Sequence, residues 1–314
     1  MNPAWSVIFL TTLCGTAQGL MLALVAADLM GGGHASRASA QVFFGGGALL
    51  CLGLAGLGLV ASFFHLGRPE RFWRSAAMWR TSWLSREVLA LPAFLAASAA
   101  YAWAWWNAAP HPAAMLIGLL GVLAALALWL CTAMVYASLK FLREWASPYT
   151  LYNFVLLGCA SGFTLATAWA AWAAPLWVPA YFGAALLFLA VALVVRVLML
   201  RRNATLKPGS TLQSAIGINH PKIAQKSMGA MGGSFNTREF FHGRSALFIK
   251  NVKVLFLALV FPGSAGLLII GYYTYSGPLL LLACAVQFAG LLAERWFFFA
   301  QANHPQNLYY QVIS

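Results

Sequence analysis

Eight long apolar runs set the terms for everything this chain can fold into. They cover about residues 5–28, 41–65, 86–107, 113–138, 150–172, 176–200, 247–272 and 277–300. A bilayer core of ~30 Å takes ~20 apolar residues as a helix, and each run meets that length. Strand alternation is absent, and the runs are too long for barrel strands. The expected class is therefore all-α, a polytopic membrane protein with eight transmembrane helices. Composition agrees: only 8% of the 314 residues are charged, against ~25% in soluble domains. The first run, WSVIFLTTLCGTAQGLMLALVAADL, lacks a basic leader and is too long for a signal core, so it reads as a retained helix.

An even number of spans puts both ends of the chain on one side, side A. That side also holds the connections near 66–85, 139–149 and 201–246. Of 19 Lys and Arg, Arg37 alone falls on side B. Such a bias marks cytoplasmic loops, so both termini are expected in the cytoplasm of a cell whose inner membrane holds the protein. The net charge of +13 then reflects topology and anionic lipid rather than nucleic acid. Arg196, Arg201, Arg202 and Arg295 read as helix-end charges facing side A. Trp5, Trp103, Trp105, Trp106, Trp145, Trp177 and Trp296 read as interfacial anchors. Cys14, Cys51, Cys131, Cys159 and Cys284 all sit in apolar runs with no C-x-x-C. They read as small hydrophobes, so no metal site is expected.

Ionisable residues gather where the second run stops and the third begins. SFFHLGRPER contains His65, and Gly67 and Pro69 break the helix after it. RTSWLSREV opens the third run with Ser82 or Ser85 as cap and carries Glu87. His65 and Glu87 thus fall on neighbouring helices at similar depth. Ionisable groups just inside a membrane are functional candidates. A quinone head group needs a hydrogen-bond donor, a proton-carrying carboxylate and an apolar slot, and His65 with Glu87 supplies the first two. Tyr136 is a further candidate donor, or an interfacial anchor. For Arg68, Arg71, Arg74 and Arg80 the competing reading is orientation and lipid-headgroup contact. Haem b would need two His facing each other across a bundle, and no pair of runs offers them, so haem is the lesser possibility. The run centres look bare of Asp, Glu, Lys and Arg, which argues against a secondary transporter. The 201–246 connection carries INHPKIAQKSMGAMGGSFNTREFFHG. Its apolar content suggests docking on a partner rather than free disorder.

SFFHLGRPERFWR, RTSWLSREV and MVYASLKFLREW together resemble the dimethyl sulfoxide reductase anchor subunit family over nearly the whole chain. That resemblance implies two four-helix bundles, here 1–146 with the quinone site and 147–314 with the long loop 201–246. It implies a quinone site at His65, Gly67, Arg71 and Glu87. It implies partners that hold the metals: a molybdopterin catalytic subunit and a four-cluster iron–sulfur subunit. The long loop is similar to one branch, the membrane subunits of cytoplasm-facing sulfite-oxidising molybdoenzymes. Arg68, Arg74, Arg80 and His242 are then expected to dock partners on the cytoplasmic face. The expected activity is sulfite:quinone oxidoreduction, with ubiquinone or menaquinone as acceptor. The alternatives are a quinol-oxidising anchor of a dimethyl sulfoxide reductase or a structural anchor without a quinone site.

Overall fold

The computed structural model describes residues 1–31, 36–64, 66–207, 209–224, 226, 240–305 and 307. Eight helices long and apolar enough to cross a membrane run in chain order, and no strand occurs among the described residues. They are α1 (Trp5–Leu29), α2 (Arg37–Phe63), α3 (Trp83–Trp106), α4 (His111–Ala137), α5 (Pro148–Ala173), α6 (Pro175–Ala204), α7 (Ala246–Tyr273) and α8 (Gly277–Ala300). All eight expected runs are helices. α2 begins several residues early, through a capped turn at Ser36 and a π turn at Gln41–Gly45. α7 contains a second π turn, Leu259–Gly263, around Pro262. Proline lacks the N–H for the regular ladder, and a π turn absorbs the missing bond.

α1 and α5 are the most enclosed helices. Glycine lets their backbones nearly touch: a Cβ on Gly162 would lie 2.1 Å from the Gly19 carbonyl carbon, and one on Gly19 would lie 2.1 Å from the Gly158 oxygen. Small residues serve this purpose in lipid, where no hydrophobic force draws helices together. Thr16 Oγ1 donates to Ser161 Oγ across the same contact, at 3.0 Å. α1 also packs against α2, α4 and α8, so the first and second halves of the chain share one apolar core.

The tryptophans divide. Trp5, Trp103 and Trp106 are exposed, as anchors should be. Trp105 and Trp145 are buried instead: Trp105 stacks on Phe44 at 4.6 Å, and Trp145 Nε1 donates to the Phe298 carbonyl at 2.9 Å. These two are packing residues, because tertiary neighbours rather than depth decide their place.

Candidate functional site

The α2–α3 connection is built as its sequence dictates. α2 stops at Phe63, and Pro69 opens a 3-10 turn, Pro69–Ala76. Ser82 caps α3, accepting from the Ser85 N–H. Arg86 ties the connection to the helix by donating to the Trp79 carbonyl at 2.9 Å and the Arg80 carbonyl at 2.7 Å. Three arginines lie over neighbouring indoles: Arg74 on Trp73, Arg80 on Trp79, and Arg86 on Trp83 at 4.2 Å. Arg68, Arg71, Arg74 and Arg80 are all exposed, and so is Gly67. His65 lies outside the described residues.

Glu87 sits one turn inside α3 and is half-buried. Thr132 Oγ1, on α4, donates to its Oε1 at 2.5 Å. The carboxyl lines a narrow crevice between α1, α3, α4 and α5. Leu10, Leu91, Leu128, Trp129 and Phe154 form its apolar walls, and Thr11, Gln18, Glu87 and Thr132 are its polar groups. An apolar slot with a few convergent polar atoms is the usual form of a small-molecule site.

The expected site residues are only partly gathered here. Arg71 does not reach Glu87; it pairs with Glu70 at 3.7 Å, and both side chains are exposed. Sequence neighbours in a short turn meet more readily than groups on separate elements. Tyr136 is one turn beyond Thr132 on α4, and its ring packs among Trp145, Phe154, Phe298 and Phe299. Its ring contacts make it part of the aromatic wall behind the crevice. His242 leans on Trp296 at the end of α8, with its Nδ1 accepting from the Arg244 N–H at 3.0 Å.

Two buried polar clusters lie near the helix ends, enclosed by neighbouring helices. Arg196 on α6 and Glu294 on α8 pair at 2.7 Å, and Arg295 lies 3.0 Å from the other Glu294 oxygen. Arg196 and Glu294 are 0% exposed and Arg295 is 4% exposed. These charges face other helices, not the side A water that helix-end charges would meet. Arg295 lies over the Phe154 ring at 4.1 Å and lines a second narrow crevice with Thr11, Thr12, Ser161, Leu291 and Phe154. The signal was present in VVRVL and LLAERWFFF, charges set inside apolar runs. Toward the other end, buried Asp28 on α1 accepts from Tyr101 Oη at 3.0 Å and pairs with His111 Nε2 at 2.9 Å.

No group of three or more His, Cys, Asp and Glu that could hold a metal occurs among the described residues. An all-helical membrane bundle with a polar crevice at one end and an arginine-rich connection beside it has the form of a membrane subunit. The model of the DMSO reductase anchor subunit (DmsC) family matches residues 1–300. A subunit of the sulfite dehydrogenase of Allochromatium vinosum is 50% identical over 325 aligned residues, covering all of both chains. The chain belongs to the DMSO reductase anchor subunit family and is an integral membrane anchor subunit of an oxidoreductase complex.

Proposed function

We propose that this subunit passes electrons from sulfite oxidation to the quinone pool, as the quinone-binding anchor of a sulfite dehydrogenase (quinone). The observation that carries the reading is Glu87. It is a carboxyl group held by Thr132, facing an apolar crevice one turn inside α3 and beside the Arg-rich connection. Ubiquinone or menaquinone, when bound, takes up two electrons and two protons. Glu87 delivers protons to the bound head group from the cytoplasmic side, and Thr132 fixes the position of its Oε1. Leu10, Leu91 and Leu128 keep bulk water from the ring. The crevice is narrow, and a ring enters by rotation of the side chains at its mouth. His65 supplies the hydrogen-bond donor expected from the sequence, and Arg68, Arg74 and Arg80 face the docked partners.

Those partners are an iron–sulfur subunit and a molybdopterin catalytic subunit, docked on the cytoplasmic face of the inner membrane. Sulfite as donor is supported by the name of the full-length relative. It is also supported by the position of the candidate site on the Lys/Arg-rich side, since an exported reductase would dock on the opposite face. The protein contributes binding and electrostatics, and the cofactors of its partners carry the redox chemistry.

The test is Glu87→Gln and His65→Ala in the assembled complex, comparing sulfite turnover with quinone and with an artificial dye. Loss of quinone turnover alone is expected. Unchanged quinone turnover in both variants refutes the reading. A reporter fused to the C-terminus tests the orientation, and export of that tail would overturn cytoplasmic docking.

A further inference from the structure

The Arg196–Glu294–Arg295 cluster carries two positive charges and one negative, all inside the bundle. Removing charges from water is costly unless they are paired. Glu294 is shared by both arginines, so the cluster keeps one positive charge in excess. Arg196 points that charge at Glu294 and lies near the Phe256 and Phe297 rings. Arg295 is different. Its Nε faces Glu294 at 3.0 Å, and its guanidinium lies over Phe154. Among the described residues no hydrogen bond takes up its terminal nitrogens, and the residue lines the second crevice. The hydroxyls that share this crevice are donors already in use: Thr12 Oγ1 gives its proton to the Ile8 carbonyl, and Ser161 Oγ gives its own to the Gly158 carbonyl. A guanidinium with spare donors therefore faces a crevice between α1, α5 and α8 whose lining offers no other charged group.

The two crevices are neighbours that share a wall. Thr11 and Phe154 line both of them. Their polar ends also lie at one depth. Glu87 is four residues into α3, while Thr132 and Arg295 are each five residues from the end of α4 and α8. At 1.5 Å per residue that is about 6–8 Å from the same end of the bundle. We propose that Arg295 is the second polar contact of the quinone pocket, donating to the carbonyl oxygen farthest from Glu87. The head group then spans from α3 to α8, and Phe154 is the wall that turns to admit it. The ligand class is a ring with two opposed carbonyl oxygens. A protonatable carboxyl meets one of them and a permanent cation meets the other. The inference rests on the quinone reading of Glu87.

The test uses the assembled complex with decylubiquinone. Arg295→Gln leaves Arg196 and Glu294 as a neutral pair, so the bundle keeps its charge balance. The expected result is a rise of about tenfold to a hundredfold in the quinone KM, as for loss of a charged hydrogen bond. The Kd from quenching of tryptophan fluorescence should rise in parallel, with dye-linked turnover unchanged. Arg295→Lys keeps the charge and should recover part of the affinity, which a merely structural arginine would not require. An unchanged KM and Kd in Arg295→Gln overturns the proposal. If that variant does not assemble, Arg295→Met, which also removes the charge and every donor, decides, and wild-type affinity in it overturns the proposal. Glu87→Gln run alongside separates the two readings. Quinone turnover lost in Glu87→Gln but normal in Arg295→Gln removes Arg295 and leaves the site at Glu87. Normal quinone turnover in both removes the quinone pocket itself.

Discussion

Thr132 Oγ1 reaches across from α4 to donate to Glu87 Oε1 on α3 at 2.5 Å. The bond fixes a carboxyl group at the edge of an apolar crevice. Without it the carboxyl is free to turn toward the connection and water. Thr132→Val keeps the shape and removes the donor. A hydrogen bond to a charged group contributes about 1.5–3 kcal/mol, so quinone-linked turnover should fall about tenfold while dye-linked turnover holds. Thr132→Ser keeps the hydroxyl and should retain most of the activity. Equal quinone turnover in the valine and serine variants would show that the bond has no part in the reaction.

Glu294 stands between two buried arginines. Glu294→Gln leaves both positive charges facing each other inside the bundle. Breaking a buried pair by removing one partner costs about 3–5 kcal/mol. The variant should therefore accumulate poorly and melt well below wild type in detergent. Replacing all three residues together with Met, Leu and Met should cost less than Glu294→Gln alone, because no buried charge is left over. A thermal midpoint for Glu294→Gln equal to wild type would contradict the ion-pair account.

The spans were legible because length and apolarity alone decide them. Glu87 was legible because a carboxylate beside an apolar run is expensive and stands out. Its partner was not: Thr132 lies 45 residues away, and nothing local distinguishes it from Thr11 or Thr12, which bond their own helix backbone. Arg196 and Arg295 were visible as residues but misplaced. A sequence does not say which way a helix is turned, and α6 runs on to Ala204, two turns past Arg196. Trp105 and Trp145 misled for the same reason. Both sit near helix ends, yet Phe44 and Phe298 cover them. Arg71 came from the resemblance, and in the structure its exposed side chain lies beside its sequence neighbour Glu70.

Gly162 tests the α1–α5 contact. A methyl group there meets the Gly19 backbone at 2.1 Å, and backbone has nowhere to move. Overpacking of this kind costs about 1–3 kcal/mol. Gly162→Ala should lower the thermal midpoint clearly. Gly53→Ala is the control, since a Cβ at Gly53 meets nothing within 4 Å, and it should melt with wild type. Similar melting of the two variants would mean that the helices separate at little cost.

Tyr101 secures the opposite end of the bundle by donating to buried Asp28. Tyr101→Phe keeps the ring, with its edge-on contact to Trp105, and removes one donor from a buried carboxylate. Leaving such an acceptor short costs about 1–3 kcal/mol. The expected outcome is a lower midpoint with unchanged quinone KM, because the cluster is remote from the Glu87 crevice. A changed KM with normal stability would instead tie Asp28 to the reaction.

His242 gives the last prediction, in pH. Its imidazole is held below the usual 6.5, first by burial of the ring and then by the positive charges of the N-terminus and Arg244. Its Nδ1 accepts from the Arg244 N–H, which also favours the neutral ring. The folded state therefore binds fewer protons than the unfolded state just below pH 6.5. The stability His242 contributes is complete above that value and declines as the pH falls through its lowered pKa. His304 is lowered for the same leading reason, burial, and it stays in place in the comparison. Thermal midpoints of wild type and His242→Gln should converge as the pH drops from 8 to 5, with wild type losing more. A constant gap across that range would show that His242 does not titrate against the fold.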